Sequence, residues 1–352
     1  ASLFLETQDY VKAEPLLIEA KEIMVRTLGK EHPDYAYVVN NQAELYRRMG
    51  NDEKAEPLFL ESMEQKINHI VRYFPSLSEK EKQSYHASNR IFFANFDKFC
   101  LDNGRRNPAL LSEMYNVKLA TKGLLFSASN KMRQRILNSG DPNIIKLFND
   151  WQLKKDRLAK VYQMPTKDKL QKGYNEKALE DEVNAVEKEL NLKSEVFASA
   201  SDKIQYKWED VKKKLKKGEA AIEMIRTTEK INDQYYPVYA ALLITPETGS
   251  NPDIVLFENS TDLENKFKRY YRNAIDKRIK DEISYKQYWE PLKSKIKGAQ
   301  KVYFSADGVY NQINLNTLFN PATGKYVLDE IEIQVVSSTK DIVTKSKASK
   351  TT

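Results

Sequence analysis

The chain has 352 residues, a formal charge of +7, three His and one Cys. A single Cys excludes a disulfide framework and a Cys-rich zinc site, and predicts an intracellular, cytoplasmic protein. The longest uncharged apolar stretch, at residues 235–245, is far shorter than the ~20 residues of a membrane-spanning helix. We expect no membrane association, and nothing in the sequence indicates a metal or an organic cofactor.

The basic residues do not form a nucleic-acid-binding pattern. Charges of both signs are interspersed, and the densest basic run is residues 212–217, which Gly218 follows. Lysines suit the last turn of a helix and Gly suits the position after it, so this run is predicted to close a helix. Contact of the run with RNA or DNA is the alternative; direct nucleic-acid binding is not the expectation.

An internal repeat opens the chain. The letters KAEPL occur at residues 12–16 and again at 54–58, a spacing of 42. Between the copies, residues 28–34 and 50–52 have turn composition, so two helix-turn-helix units are predicted. Helical spacing places these apolar side chains on the packed faces: Ala36, Val39, Ala43, Tyr46, Ala55, Phe59 and Met63.

This pattern resembles the long tetratricopeptide repeat of the kinesin-light-chain type, and we assign residues 1–70 to it. Gln42 departs from the family, which usually has Leu there. Ala1 aligns with the interior of a repeat helix. We therefore expect the chain to be a fragment whose further repeats lie upstream, because about three stacked repeats bury a continuous core.

Such a repeat holds a protein or peptide in a concave groove. Tyr37, Asn40, Asn41 and Glu44 are predicted to lie on or beside that face. Asn side chains can hydrogen-bond the backbone of an extended peptide. In the alternative interpretation, these four residues are solvated or contact a neighbouring domain.

Residues 71–200 are predicted to be a helical region. Ser78 and Glu81 form a capping box, from which a long helix should run to about residue 101. Further helices are predicted at 107–139, 141–163 and 177–192.

Cys100 is predicted to be a packed core residue. It shares an apolar helix face with Phe92 and Phe96, and the nearest His, His86, is 14 residues away on the same predicted helix. At 1.5 Å per residue the separation is about 21 Å. That distance excludes the hydrogen-bonded pair that a cysteine nucleophile needs.

Residues 201–352 show alternating strand and helix patterns. Strands are predicted at 220–224, 238–245, 254–257, 301–305 and 331–337, with helices at 262–279 and 285–297. This alternation indicates a layered α/β sheet.

Several motifs in this region resemble the opening part of a CHAT domain, a caspase-like peptidase fold often attached to tetratricopeptide repeats. They are WEDV at 208–211, GEAAIE at 218–223, YYRN at 270–273, YW at 288–289, VYFSADGVYNQINLNTL at 302–318, NP at 320–321 and GKY at 324–326. The SADG stretch at 305–308 is the most recognisable. The fold class is therefore predicted as helical repeats, a helical middle and the first part of a caspase-like α/β domain.

The resemblance implies a cysteine peptidase whose catalytic His precedes a Gly at one strand end and whose Cys ends a later strand. This sequence has no His after His86 and no Cys after Cys100, so both are expected beyond residue 352. No catalytic residue is assigned, and the chain is expected to be inactive by itself. Family members imply an RNA-guided effector or a pore-forming protein as partner. The alternative is a non-catalytic adaptor that only binds proteins.

Overall fold

The computed structural model describes residues 1–196, 205–232 and 234–344. The described residues form two compact units, and each unit is discontinuous in sequence. The first contains Ala1–Gln42, Glu61–Ile91 and the described residues from Gly123 to 196; the second contains Ala43–Leu60, Phe92–Lys122 and the described residues from Gln205 to 344. The predicted domain boundary at residues 200 and 201 lies outside the described residues, and the three contiguous domains stay a prediction.

The first 196 residues are helical, as predicted. The helices are α1 (Ser2–Glu6), α2 (Tyr10–Thr27), α3 (Pro33–Arg48), α4 (Asp52–Tyr73), α5 (Glu79–Ser88), α6 (Arg90–Asn103), α7 (Ala109–Thr121), α8 (Leu124–Asn138), α9 (Pro142–Gln163), α10 (Thr166–Gln171) and α11 (Glu176–Glu195).

The C-terminal part of the chain forms a mixed sheet. Helix α12 (Trp208–Lys214) precedes the strands β1 (Glu219–Ile231), β2 (Gln234–Ile244), β3 (Asp253–Phe257), β4 (Lys301–Ser305), β5 (Phe319–Asn320), β6 (Lys325–Tyr326) and β7 (Glu332–Val336). The helices after β3 are α13 (Ser260–Asp262), α14 (Lys268–Lys277), α15 (Glu290–Lys293), α16 (Val327–Glu330) and α17 (Asp341–Thr344), with π-helical turns at Leu263–Phe267 and Tyr285–Trp289. The main sheet has the order β3-β2-β1-β4-β7, in which β1, β4 and β7 run parallel and β2 and β3 are antiparallel to their neighbours. The predicted α/β sheet is confirmed.

The 42-residue repeat is visible in the backbone geometry. Gln8 and Gly50 occupy equivalent positions, and both have left-handed φ values, 60° and 72°. The next residue of each copy, Asp9 or Asn51, caps the following helix by accepting a hydrogen bond from the amide three residues later. Equivalent turns and caps therefore set the start of α2 and α4, because an N-cap side chain satisfies an otherwise unpaired amide.

Small and apolar residues at equivalent repeat positions are buried. The predicted packing residues are all less than 7% exposed: Ala36, Val39, Ala43, Tyr46, Ala55, Phe59 and Met63. In the first copy, Ala13 and Leu17 occupy the positions of Ala55 and Phe59 and are also buried. The predicted periodicity is confirmed.

Asn89 breaks the helix that was predicted to run from residue 78 to 101. The capping box is confirmed, with reciprocal hydrogen bonds between Ser78 and Glu81. The Asn89 amide group, however, donates to the carbonyl of Tyr85, and an Asn side chain that bonds the backbone competes with helix continuation. α5 therefore ends at Ser88, and His86 and Cys100 lie on different helices.

The predicted helix at 107–139 was also wrong as a single element, because it is broken after α7. Lys122 has extended backbone angles (φ −75°, ψ 138°) and Gly123 is left-handed (φ 66°). The helix that contains the first part of the basic run at 212–217 also ends earlier than predicted. α12 stops at Lys214, and Gly218 (φ 81°) instead accepts the amides of Gln300 and Lys301 beside the start of β1.

A compact turn follows β4. Asp307 accepts hydrogen bonds from the amides of Arg226 and Gly308, at 3.1 and 2.8 Å. The Tyr239 hydroxyl accepts the Val309 amide at 2.6 Å and donates to a carboxylate, Glu264. The predicted tight turn at 307–308 is confirmed, and its side chains tie β4 to β1 and β2.

We expect Gly308→Ala to destabilise this unit. Gly308 has φ +53°, and a Cβ there would lie 2.0 Å from Tyr239 Oη and 2.6 Å from Arg226 Cδ. Left-handed strain plus the displacement of a buried hydroxyl should lower the free energy of unfolding by about 2–4 kcal/mol. Urea denaturation followed by tryptophan fluorescence measures this change. Gly249→Ala is the control, because its Cβ would meet nothing within 4 Å; equal effects of the two variants would contradict the prediction.

Candidate functional site

The four predicted peptide-binding residues form one stripe along α3. Tyr37, Asn40, Asn41 and Glu44 are spaced i, i+3, i+4 and i+7, which places them on one side of the helix. Asn40 and Glu44 are buried, at 2% and 4% exposure, whereas Tyr37 and Asn41 are half-buried. Tyr37 and Asn41 are therefore the part of the stripe that solvent can reach.

Glu44 is held within its own helix. Its carboxylate accepts hydrogen bonds from Arg47 and Arg48, each at 2.7 Å. These cations lower the pKa of Glu44 although burial opposes them. The Glu44 carboxylate is therefore already paired with two cations of its own helix.

At the other end of the stripe, Tyr37 contacts Lys66 of α4 and Asn89, the residue that follows α5. Its hydroxyl donates to Asn89 Oδ1 at 2.7 Å. The Lys66 ammonium lies 3.9 Å from the centre of the Tyr37 ring and 5.3 Å from that of Tyr85, distances typical of cation–π contacts. Part of the predicted binding face is thus already packed against the same chain.

A second polar site lies at the carboxyl end of the parallel strands. The ladder between β1 and β4 ends at Glu223 and Ser305, and beyond it β1 pairs only with β2. Lys122 Nζ fills the gap, donating to the carbonyls of Met224 and Ser305 at 2.8 and 3.1 Å. The ammonium therefore satisfies carbonyls that would otherwise lose their partners where the strands separate.

Glu223 compensates the charge of Lys122. Its side chain is fully buried and its Oε2 lies 3.8 Å from Lys122 Nζ, while Oε1 accepts from Ser338 Oγ and the Thr339 amide. Burial lowers the pKa of Lys122, and the Glu223 charge acts in the opposite direction. The segment after β7 is bound here too, because Lys340 Nζ donates to the carbonyls of Leu119 and Lys122, both at 2.9 Å.

Sequence reasoning missed this network. Lys122 comes just before Gly123, where a helix end could have been recognised, but no spacing pattern connects it with Glu223 or with residues 338–340. In α/β sheets, ligand sites lie outside the carboxyl ends of parallel strands. Here Lys122 and the residues that follow β7 occupy that position.

Cys100 is a core residue in the structure. It is fully buried, and burial raises its pKa well above the ordinary thiol value. A reactive cysteine needs a stabilised thiolate, so this thiol is unsuited to nucleophilic chemistry. Over the part of the chain that the structure describes, no group of three or more His, Cys, Asp or Glu is placed to hold a metal ion.

Comparison with known proteins identifies the repeats. Residues 1–67 match the family model of the tetratricopeptide repeat, so the N-terminal segment has this repeat, which other proteins use to bind proteins. No curated protein matches the chain. Among the residues described, no helix has both the length and the apolar character needed to span a bilayer.

We expect Lys122→Met to loosen the sheet. The variant keeps the bulk of the side chain but leaves Glu223 buried without its cationic partner, beside two unpaired carbonyls. Breaking such a pair costs about 3 kcal/mol, so the amides of β4 and β7 should exchange hydrogen faster. Hydrogen-exchange mass spectrometry of peptides covering these strands measures the effect.

Lys217→Met is the matched control, since Lys217 is exposed. Unchanged protection of β4 in Lys122→Met would contradict the role assigned to this ammonium.

Proposed function

We propose that this chain is the repeat-bearing part of a CHAT-type cysteine peptidase, and that its repeats bind a regulatory or substrate protein. The observation that carries the binding role is the duplicated helix-turn-helix at residues 1–67, with Tyr37 and Asn41 accessible on α3. An extended peptide could hydrogen-bond these side chains. By resemblance, the partner is an RNA-guided effector or a pore-forming protein.

The peptidase class is supported by sequence motifs and is compatible with the sheet. SADG occupies the end of β4 and the turn after it, and β4 lies between the parallel strands β1 and β7. A caspase-like dyad places Cys and His at strand ends within hydrogen-bond reach of each other. The single Cys of this chain is buried in a helix, so the proposal assigns the dyad to residues outside these 352.

The adaptor is the second candidate, and one observation favours it. The carboxyl end of the parallel strands is filled by Lys122, Glu223 and the residues from Ser338 to Lys340. Because structural hydrogen bonds occupy this end of the strands, the sheet is suited to supporting a binding module rather than to holding a substrate.

Peptidase activity distinguishes these candidates. We expect the 352-residue chain to cleave no substrate, and Cys100→Ala to cost only about 1–2 kcal/mol of stability. A longer product of the gene should contain a His-Gly and a strand-ending Cys. Its cleavage of the bound partner should disappear when that Cys is replaced and survive Cys100→Ala.

A peptide-cleavage assay measures the activity of the 352-residue chain and of the longer product. A denaturation curve measures the stability of Cys100→Ala. Turnover by the 352-residue chain that requires Cys100 would overturn the proposed location of the active site. A longer product that lacks the His-Gly and the Cys would reject the peptidase and favour the non-catalytic adaptor.

The binding face is tested by site-specific crosslinking. A photoreactive amino acid at position 41 should crosslink a copurifying protein, because this part of α3 is half-buried and reachable from solvent. The same amino acid at position 19, an exposed site on α2, is the control. Crosslinks from position 19 but not from position 41 would exclude this face, and mass spectrometry of the product identifies the partner.

A further inference from the structure

A short segment after β7 covers the carboxyl end of β1. This segment, Ser338–Lys340, is called the strap below. The hydroxyl of Ser338 and the amide of Thr339 donate to Glu223 Oε1 at 3.0 and 3.4 Å. Thr339 Oγ1 also shares a hydrogen bond of 2.9 Å with the hydroxyl of Tyr115, on α7. Because Ser338 and Thr339 are both 0% exposed, the strap seals the point where the ladder between β1 and β4 ends.

The strap and the end of α7 hold each other in a closed ring of contacts. Lys340 Nζ donates to the carbonyl of Lys122 at 2.9 Å. Lys122 Nζ in turn lies 3.8 Å from Glu223 Oε2, and Glu223 accepts the hydroxyl of Ser338, which completes the ring. The members of a buried polar network depend on one another, so we expect these contacts to form and break together.

Few apolar contacts hold the strap in place. Among the described residues, β7 pairs only with β4 and is an edge strand, and its Val335 is 69% exposed. The four residues of α17, which follows the strap, are all at least partly exposed. β1, β2 and β4 instead contribute many side chains to the apolar core. A segment with few buried apolar contacts opens at a lower free energy than the core.

We propose that the strap is a gate, which opens while the sheet stays folded and thereby exposes the carboxyl end of β1 and β4. In α/β sheets, ligands bind beyond the carboxyl ends of parallel strands, and the closed strap occupies that place. Opening frees the Glu223 carboxylate and the Tyr115 hydroxyl from their present partners. A ligand that binds these groups shifts the equilibrium towards the open form. Use of the exposed end for binding or catalysis rests on the proposed function, whereas the opening itself does not.

Thiol labelling of Ser338→Cys measures the opening. The side chain at position 338 is fully buried, so its thiol reacts only after the strap has detached. Cys100, buried in α6, is the internal reference for unfolding. We expect a maleimide to modify position 338 at least about tenfold faster than Cys100 in buffer. Equal rates in buffer would show that the strap detaches only when the chain unfolds, and would overturn the gate.

Hydrogen exchange tests the gate without a substitution. Amides in both parts of the ring are hydrogen-bonded: those of Asp341 and Thr344 beside the strap, and that of Lys122 at the end of α7. In low urea, peptides covering 337–344 and 117–122 should lose protection together, and before the peptides of β2. Protection at 337–344 that persists as long as that of β2 would overturn the gate.

Paired variants test the ring. Lys340→Met removes a charged donor and should speed exchange at 337–344 and at 117–122 about tenfold. Lys301→Met is the matched control, because Lys301 also binds the strand β7, through Glu332 at its amino end; it should leave both peptides unchanged. Adding Ser338→Ala to Lys340→Met should have little further effect, since the ring is already broken. Additive effects of the two substitutions, or equal effects of Lys340→Met and Lys301→Met, would contradict the ring.

The gate and the proposed function can fail separately. A longer gene product that cleaves peptides while its strap stays closed by both measurements would reject the gate and keep the peptidase. A strap that opens in a longer product without the His-Gly and the Cys would keep the gate and reject the peptidase.

Discussion

The second unit depends on a lysine that replaces part of a β-ladder. β1 leaves β4 after Glu223 because it continues into a long hairpin with β2. That separation exposes carbonyls at the centre of a sheet whose strands are buried, and unpaired buried carbonyls are costly. Lys122 supplies the missing donors, Glu223 balances its charge, and Lys340 binds the chain around Lys122. The position where α7 ends is consequently set by the hydrogen bonds that Lys122 donates to the sheet.

In the repeat segment, one carboxylate joins the helices. Glu61 of α4 accepts hydrogen bonds from Lys21 of α2 and from the hydroxyl of Tyr35 on α3, at 2.9 and 2.6 Å. One carboxylate thereby connects three helices of the repeat segment. Glu61 also pairs with Lys30, in the turn between α2 and α3, at 3.5 Å.

The binding role proposed for the repeats concerns the stripe on α3. Its part that solvent reaches consists of Tyr37 and Asn41, and the hydroxyl of Tyr37 already bonds Asn89. The single Cys of the chain lies in helix α6, where burial raises its pKa, so this thiol is unsuited to act as a nucleophile.

The sequence by itself determined the repeat, the Ser78–Glu81 capping box and the five strands of the main sheet. These features depend on local spacing: KAEPL recurs at 42 residues, Ser78 and Glu81 are three apart, and apolar runs mark buried strands. Tertiary structure decided where helices break and which charges meet. Lys122 leaves helical geometry where its side chain binds the sheet, and the Asn89 side chain, which ends α5 by bonding Tyr85, also accepts a hydrogen bond from Tyr37. Lys66 is buried beside Tyr37 and Tyr85. Such contacts join residues far apart in the chain, and periodicity does not record them.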